Sequence, residues 1–152
     1  MPNDDGSNPE QAQTPGLGSY LDVMSKAIFQ RGISWDVVEN KWPEIREVFH
    51  DFDIEKVANI RPDQIDAILR DRRVNGNRAE MEAIVENANL MIKLEKENGG
   101  FRNYLRSHDD FDAALASIKM DFKLMGDRAT YYFLYVVGEE VPPFEQFMAR
   151  GI

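Results

Sequence analysis

The sequence predicts an all-α protein, a bundle of about eight to ten short helices. Three observations carry that expectation. Apolar residues recur at three- and four-residue spacing along almost the whole chain after residue 18. Cap and turn residues punctuate the pattern at Ser34, Asp53, Asn77 and Gly99-Gly100. The one run apolar enough to be a buried strand, Tyr131 to Val137, is flanked by helical pattern and stops at Gly138, which favours a helix there too.

Residues 1–18 are rich in Pro, Gly, Asn and Gln, carry no Lys or Arg, and read as a disordered tail; residues 19–152 read as a single helical domain. Ser19 with Asp22 has the pattern of a capping box and opens a helix to about Arg31, with Leu21, Met24, Ile28 and Phe29 as its apolar stripe. Gly32 ends it. Ser34 caps a second helix on which Trp35, Val38 and Trp42 recur at helical spacing, and Pro43 is expected to break or re-cap that helix. Ile45, Val48, Phe49 and Phe52 continue the apolar series. Asp53 caps the segment IEKVANI, and Pro62 takes a first helical position. Asn75-Gly76 is a turn signal. Asn77 then caps a long helix to about Asn98, with Glu80 completing a capping box and Met81, Ile84, Val85, Ala88, Met91 and Ile92 facing inward. Shorter helices follow from Phe101 onward, ending in a short helix or turn over PPFEQFMARG.

The chain has 152 residues, 43% of them hydrophobic, enough for one domain with its own core. The net charge of −9 argues against a broad nucleic-acid footprint but permits a local basic patch. With no cysteine there is no disulfide, no thiolate catalysis and no Cys-based zinc site. No run is long and apolar enough to span a membrane and no secretory signal is visible, so a soluble, cytoplasmic protein is expected.

Three constellations carry possible chemistry. Between Ala67 and Ala83 an apolar helix, a glycine turn and a second apolar helix form a helix-hairpin-helix pattern, whose turn amides can hold a phosphate. Arg70, Arg72, Arg73 and Arg78 stand there against Asp71 and Glu80; on spacing alone an ordinary helix connection with solvated arginines is the plainer reading. In RGISW, Ile33 has the character of a wedge between bases and Trp35 that of a stacking platform, or both side chains are simply core. Asp36 and Glu39 follow, and Glu39 shares a helix face with Trp35. A carboxylate beside a stacking platform can support an oxocarbenium-like transition state or activate water; surface charge is the plainer reading. His50, Asp51 and Asp53 are too few to make a dedicated metal site expected.

In order along the chain, GISW, VFHDFDIEKVANI, RPDQIDAILRD, NRAEMEAIVENA, GGFRNYL and DFKLMGDRATYYFLYVVG resemble the DNA-3-methyladenine glycosylase I family, one of the helix-hairpin-helix DNA glycosylases, over about residues 19–142. The resemblance implies a base-excision enzyme that extrudes an alkylated base from duplex DNA and hydrolyses its N-glycosidic bond. It implies a wedge and base pocket at Gln30, Gly32, Ile33 and Trp35, and a hairpin gripping the DNA backbone at Val74, Asn75, Gly76, Asn77 and Arg78. The departures are equally specific. The family's zinc clip has no cysteines to form it here, and Pro143 stands about where one of its histidines belongs; no metal or cofactor is expected. The family's N-terminal pocket tyrosine has no counterpart in residues 1–18. Its pocket glutamate aligns with Ala27, and a hairpin lysine aligns with Glu80. Two readings follow: a glycosylase in which Trp35 and Glu39 carry catalysis, or a catalytically inactive member of the fold that binds DNA or a protein partner. No oligomeric state follows from either.

Overall fold

The structure, a computed structural model, describes residues 16–31 and 34–151. Among these residues it is all-helical, with helices α1 (Leu17–Phe29), α2 (Trp35–Val48), α3 (Ile54–Ala58), α4 (Pro62–Leu69), α5 (Arg78–Asn98), α6 (Phe101–Leu105), α7 (Phe111–Asp121), α8 (Asp127–Val136) and α9 (Phe144–Met148). Of residues 1–18, read as a disordered tail, 1–15 lie outside the described residues, while Leu17 and Gly18 form the start of α1 and Leu17 packs against the core.

The local signals set most boundaries. Ser34 caps α2 by accepting from the Val37 amide at 3.3 Å, and Asp53 caps α3. Asn77 and Glu80 exchange both hydrogen bonds of a capping box, at 2.9 and 3.0 Å, at the head of α5. Gly99 closes α5 with a left-handed φ of 71°, a conformation glycine adopts without a Cβ penalty. Tyr131 to Val136 is helical, as its flanks predict.

Two expectations need correction. The Ser19–Asp22 capping box does not form, because α1 starts at Leu17 with Gly16 at its cap position. Asp22 instead accepts a hydrogen bond from the Trp42 indole at 2.7 Å and pairs with Arg46 at 3.1 Å, tying α1 to α2. Burial pushes the Asp22 carboxyl pKa up, against the opposing pull of the Trp42 hydrogen bond, Arg46 and Lys26. Nor does Pro43 end α2, which runs through it. Pro43 is exposed while Trp42 and Ile45 beside it are buried, so tertiary packing holds the helix together where one backbone bond is missing.

The core is built around α5. α1, α3, α4 and α6 pack on it, and α8 covers the other side of α1. Leu21, Met24, Ile28, Met81, Ile84 and Phe133 are fully buried between them. The fold subjects one segment to strain: His50, Asp51 and Phe52 all take left-handed backbone, with φ of 58°, 54° and 56°. Phe52 holds that turn in place by stacking on Phe49 and Trp42, each at 5.6 Å. The turn lies so close to α1 that a Cβ on Gly18 would stand 2.4 Å from the Phe52 carbonyl oxygen. Gly18→Ala must therefore push α1 off the turn, and urea unfolding is expected to show a loss of about 1–3 kcal/mol. An unchanged midpoint would contradict this packing.

A second, smaller core of Leu115, Tyr131 and Phe147 joins α7, α8 and α9. It fixes the chain's last turns against α8 and so builds one wall of the cavity described next.

Candidate active site

Where the end of α1 and the start of α2 meet α8, a cavity of about 1050 Å³ opens to the surface. Ala27 and Gln30 line it from α1, Trp35 and Glu39 from α2, Arg128, Tyr132 and Tyr135 from α8, and the segment Val141–Phe144 from the far side. The volume is at the upper end of what small-molecule sites offer and ample for a purine.

Each wall has a physical reason for its place. The Asp22 bonds to Trp42 and Arg46 lock α2 onto α1, which projects the first turn of α2 past the core. Trp42 is buried there, with its ring edge-on to Phe29 at 5.5 Å. Trp35, two turns earlier on the same helix, is 52% exposed, with its ring edge-on to Tyr132 at 4.8 Å. Of the two readings of Trp35, core and stacking platform, its exposure rules out the core one; Trp42 is the core tryptophan, and Ile33 lies outside the described residues. Glu39 sits one turn beyond Trp35, as its spacing predicts, and forms an ion pair with Lys26, whose side chain is largely buried on α1. That pair fixes the carboxylate at the cavity edge. The far wall depends on Tyr131, whose hydroxyl donates to the Pro142 carbonyl at 2.6 Å. Burial raises the Tyr131 phenol pKa, with Tyr135 adding to it, so the hydroxyl remains a donor at neutral pH.

The structure thus brings together Gln30, Trp35 and Glu39, with Ala27 between them and the core. Gly32 and Ile33 lie outside the described residues. The hairpin residues do not line the cavity. The Val74 side chain is buried at 8% exposure, leaving only its backbone to offer. Gly76 is exposed but backed closely by Glu80, whose Oε1 lies 2.8 Å from where a Cβ would be. The Asn77 side chain is committed to its cap, and Arg78 pairs with Asp66 and, at 3.8 Å, with Glu82. Asn75 is exposed, as are Arg70 and Arg72. Among the described residues no group of three His, Asp or Glu side chains is placed to hold a metal ion, and no helix is long and apolar enough to cross a membrane.

Sequence reasoning missed Lys26, Arg128, Tyr132 and Tyr135. The signal for the tyrosines was present: phenols at 131, 132 and 135 give the most apolar helix a hydrogen-bonding aromatic face.

A family model described as methyladenine glycosylase matches residues 20–123. The DNA-3-methyladenine glycosylase of Haemophilus influenzae is 37% identical over 78 residues, which cover 51% of this chain and 42% of that protein. DNA-3-methyladenine glycosylase 1 of Escherichia coli is 30% identical over 78 residues, with the same shares covered. The chain therefore spans less than half the length of these relatives in the matched region. In fold, it superposes on 3-methyladenine DNA glycosylase I from Staphylococcus aureus with a TM-score of 0.71 at 22% identity, over 87% of this chain and 86% of that one. A further crystal structure of 3-methyladenine DNA glycosylase I gives a TM-score of 0.73 at 21% identity, over 85% and 82%. With a helical bundle of that architecture and a match across most of its length, the chain belongs to the methyladenine glycosylase family.

Proposed function

We propose that this protein is a base-excision DNA glycosylase that extrudes an alkylated, 3-methyladenine-like base from duplex DNA and hydrolyses its N-glycosidic bond. The observation that carries the reading is the half-exposed Trp35 on the wall of an open, aromatic-lined cavity with Glu39 at its edge. A purine alkylated at a ring nitrogen is cationic and leaves readily, so the site needs to hold the base, exclude water from the wrong face and stabilise positive charge developing on the sugar. Trp35 offers a stacking face, and a cationic base gains additional attraction from the indole π-system. Glu39 offers a fixed negative charge to the sugar and an acceptor for the attacking water's proton. In this reading Gly32 and Ile33 fill the gap the base leaves, while the exposed turn Asn75–Arg78 and its preceding Val74 backbone approach the phosphates, Arg78 exchanging Asp66 for a phosphate oxygen.

The test is release of methylated bases from alkylated duplex DNA by the purified chain. Trp35→Ala is expected to lower kcat/KM for release by about 10- to 100-fold, the weight of one base–aromatic stack, and to leave the unfolding midpoint nearly unchanged because the indole is half in solvent. No release by the parent at stoichiometric enzyme, with duplex binding retained, would replace the catalytic reading by that of a DNA-binding module.

A further inference from the structure

Most arginines of this acidic chain are matched by a carboxylate: Arg46 pairs with Asp22, Arg61 with Asp63, Arg73 with Asp71, Arg78 with Asp66, Arg106 with Glu139 and Arg150 with Asp112. Arg31 has no such partner among the described residues. It is exposed and lines the cavity directly after α1, and Arg128 lines it from α8. Glu39 is the one carboxylate among the described residues of that lining, and Lys26 already pairs with it. The cavity is therefore electropositive in a chain whose net charge is −9. The base proposed for this cavity is itself a cation and gains nothing from two guanidiniums. The anion that travels with an extruded base is the phosphate of its own nucleotide. The hairpin turn lies alongside: a Cβ on Gly76 would stand 3.2 Å from the Phe29 ring, two residues before Arg31. Arg31 thus stands where the hairpin and the cavity join one surface.

We infer that Arg31 holds a backbone phosphate of the extruded nucleotide, a contact separate from the hairpin's, with Arg128 adding positive potential from α8. A guanidinium suits the task, because its planar fork donates two parallel hydrogen bonds to phosphate oxygens. Arg31 gives up no ion pair when the phosphate arrives, whereas Arg78 must first release Asp66. Its place immediately before the Gly32–Trp35 turn couples the grip to extrusion: a phosphate fixed there keeps the rotated nucleotide from swinging back into the duplex. The inference rests on the glycosylase reading for the identity of the ligand as an extruded nucleotide.

Duplex affinity of the full chain, followed against salt by fluorescence anisotropy, tests it. One duplex carries a single tetrahydrofuran abasic analogue, whose sugar rotates out at little cost; the other has the same sequence undamaged. Arg31→Gln is expected to lower the salt slope on the abasic duplex by about one and the affinity at low salt by about 5- to 10-fold, with less than half that change on the undamaged duplex. Arg31→Lys keeps the charge and is expected to restore the slope. Both variants are expected to unfold with the parent, because the side chain is exposed and has no partner among the described residues. An unchanged slope in Arg31→Gln, an equal fall on both duplexes, or a fall that Arg31→Lys does not restore overturns the inference. Release of methylated bases from alkylated DNA separates the two proposals. A slope that drops on the abasic duplex while the parent releases no base contradicts the glycosylase reading alone, and release by the parent with an unchanged slope in Arg31→Gln contradicts the Arg31 assignment alone.

Discussion

Glu39→Gln is expected to reduce the rate of base release by about 100-fold or more while leaving stability and duplex affinity within twofold of the parent. The substitution keeps size and hydrogen-bonding reach, so the amide still meets the Lys26 ammonium and the first two turns of α2 stay in place. What disappears is the negative charge at the cavity edge. That charge matters only once the sugar begins to carry positive charge, so the loss falls on kcat rather than on KM. Single-turnover release at saturating enzyme isolates that step. A rate within threefold of the parent would show that Glu39 is a surface ion pair and that the sugar is stabilised by another group. Exposure of Glu39 at 53% makes its contribution to folding small, which keeps the catalytic readout clean.

Phe147→Ala is expected to cost about 3–5 kcal/mol, the largest stability effect outside the main core. Phe147 is fully buried, stacks on Tyr131 with ring centroids 4.6 Å apart, and meets Phe111 edge-on at 5.8 Å. The Arg150 guanidinium lies 5.5 Å over its ring while pairing with Asp112 at 2.7 Å. A five-residue helix such as α9 has no stability of its own, so its place depends on this anchor. Its loss should therefore first free α9 and the Val141–Phe144 wall of the cavity. Hydrogen exchange is expected to show faster exchange in α9 before the rest of the protein unfolds, with base release falling in parallel. Unaltered protection of α9 in the variant would mean the wall is held by Tyr131 and its Pro142 bond alone.

The parts of this fold that the sequence makes legible are those decided within a few residues. Asn77 and Glu80 satisfy one another's backbone, and Gly99 supplies the left-handed cap, without help from the rest of the chain. What required the structure is decided across the fold. Trp35 and Trp42 are two turns apart on one helix and carry the same apolar signal. Only the helix opposite each separates them: α1 and the turn at Phe52 cover Trp42, and open space faces Trp35. Asp22 looks like a cap until Trp42, twenty residues away, takes its carboxylate. Pro43 looks like a helix end until the burial of its neighbours outweighs one lost hydrogen bond. Asn87 gives no sign in the sequence that it is buried, yet it clamps both backbone groups of Lys123, at 2.8 and 3.2 Å. At the site, the local face shared by Trp35 and Glu39 was legible; Lys26 and α8 were not, because they reach it through tertiary contacts alone.

In the proposed function an extruded base enters the cavity beside Trp35. The chain has only two tryptophans, so their indole N–H resonances report the exposed ring and the buried ring separately. Titration with a duplex carrying one non-cleavable 3-methyladenine analogue is expected to shift the Trp35 resonance strongly and leave that of Trp42 almost still, with the undamaged duplex moving neither to the same extent. A saturated complex in which the Trp35 resonance stays where it was would contradict the account.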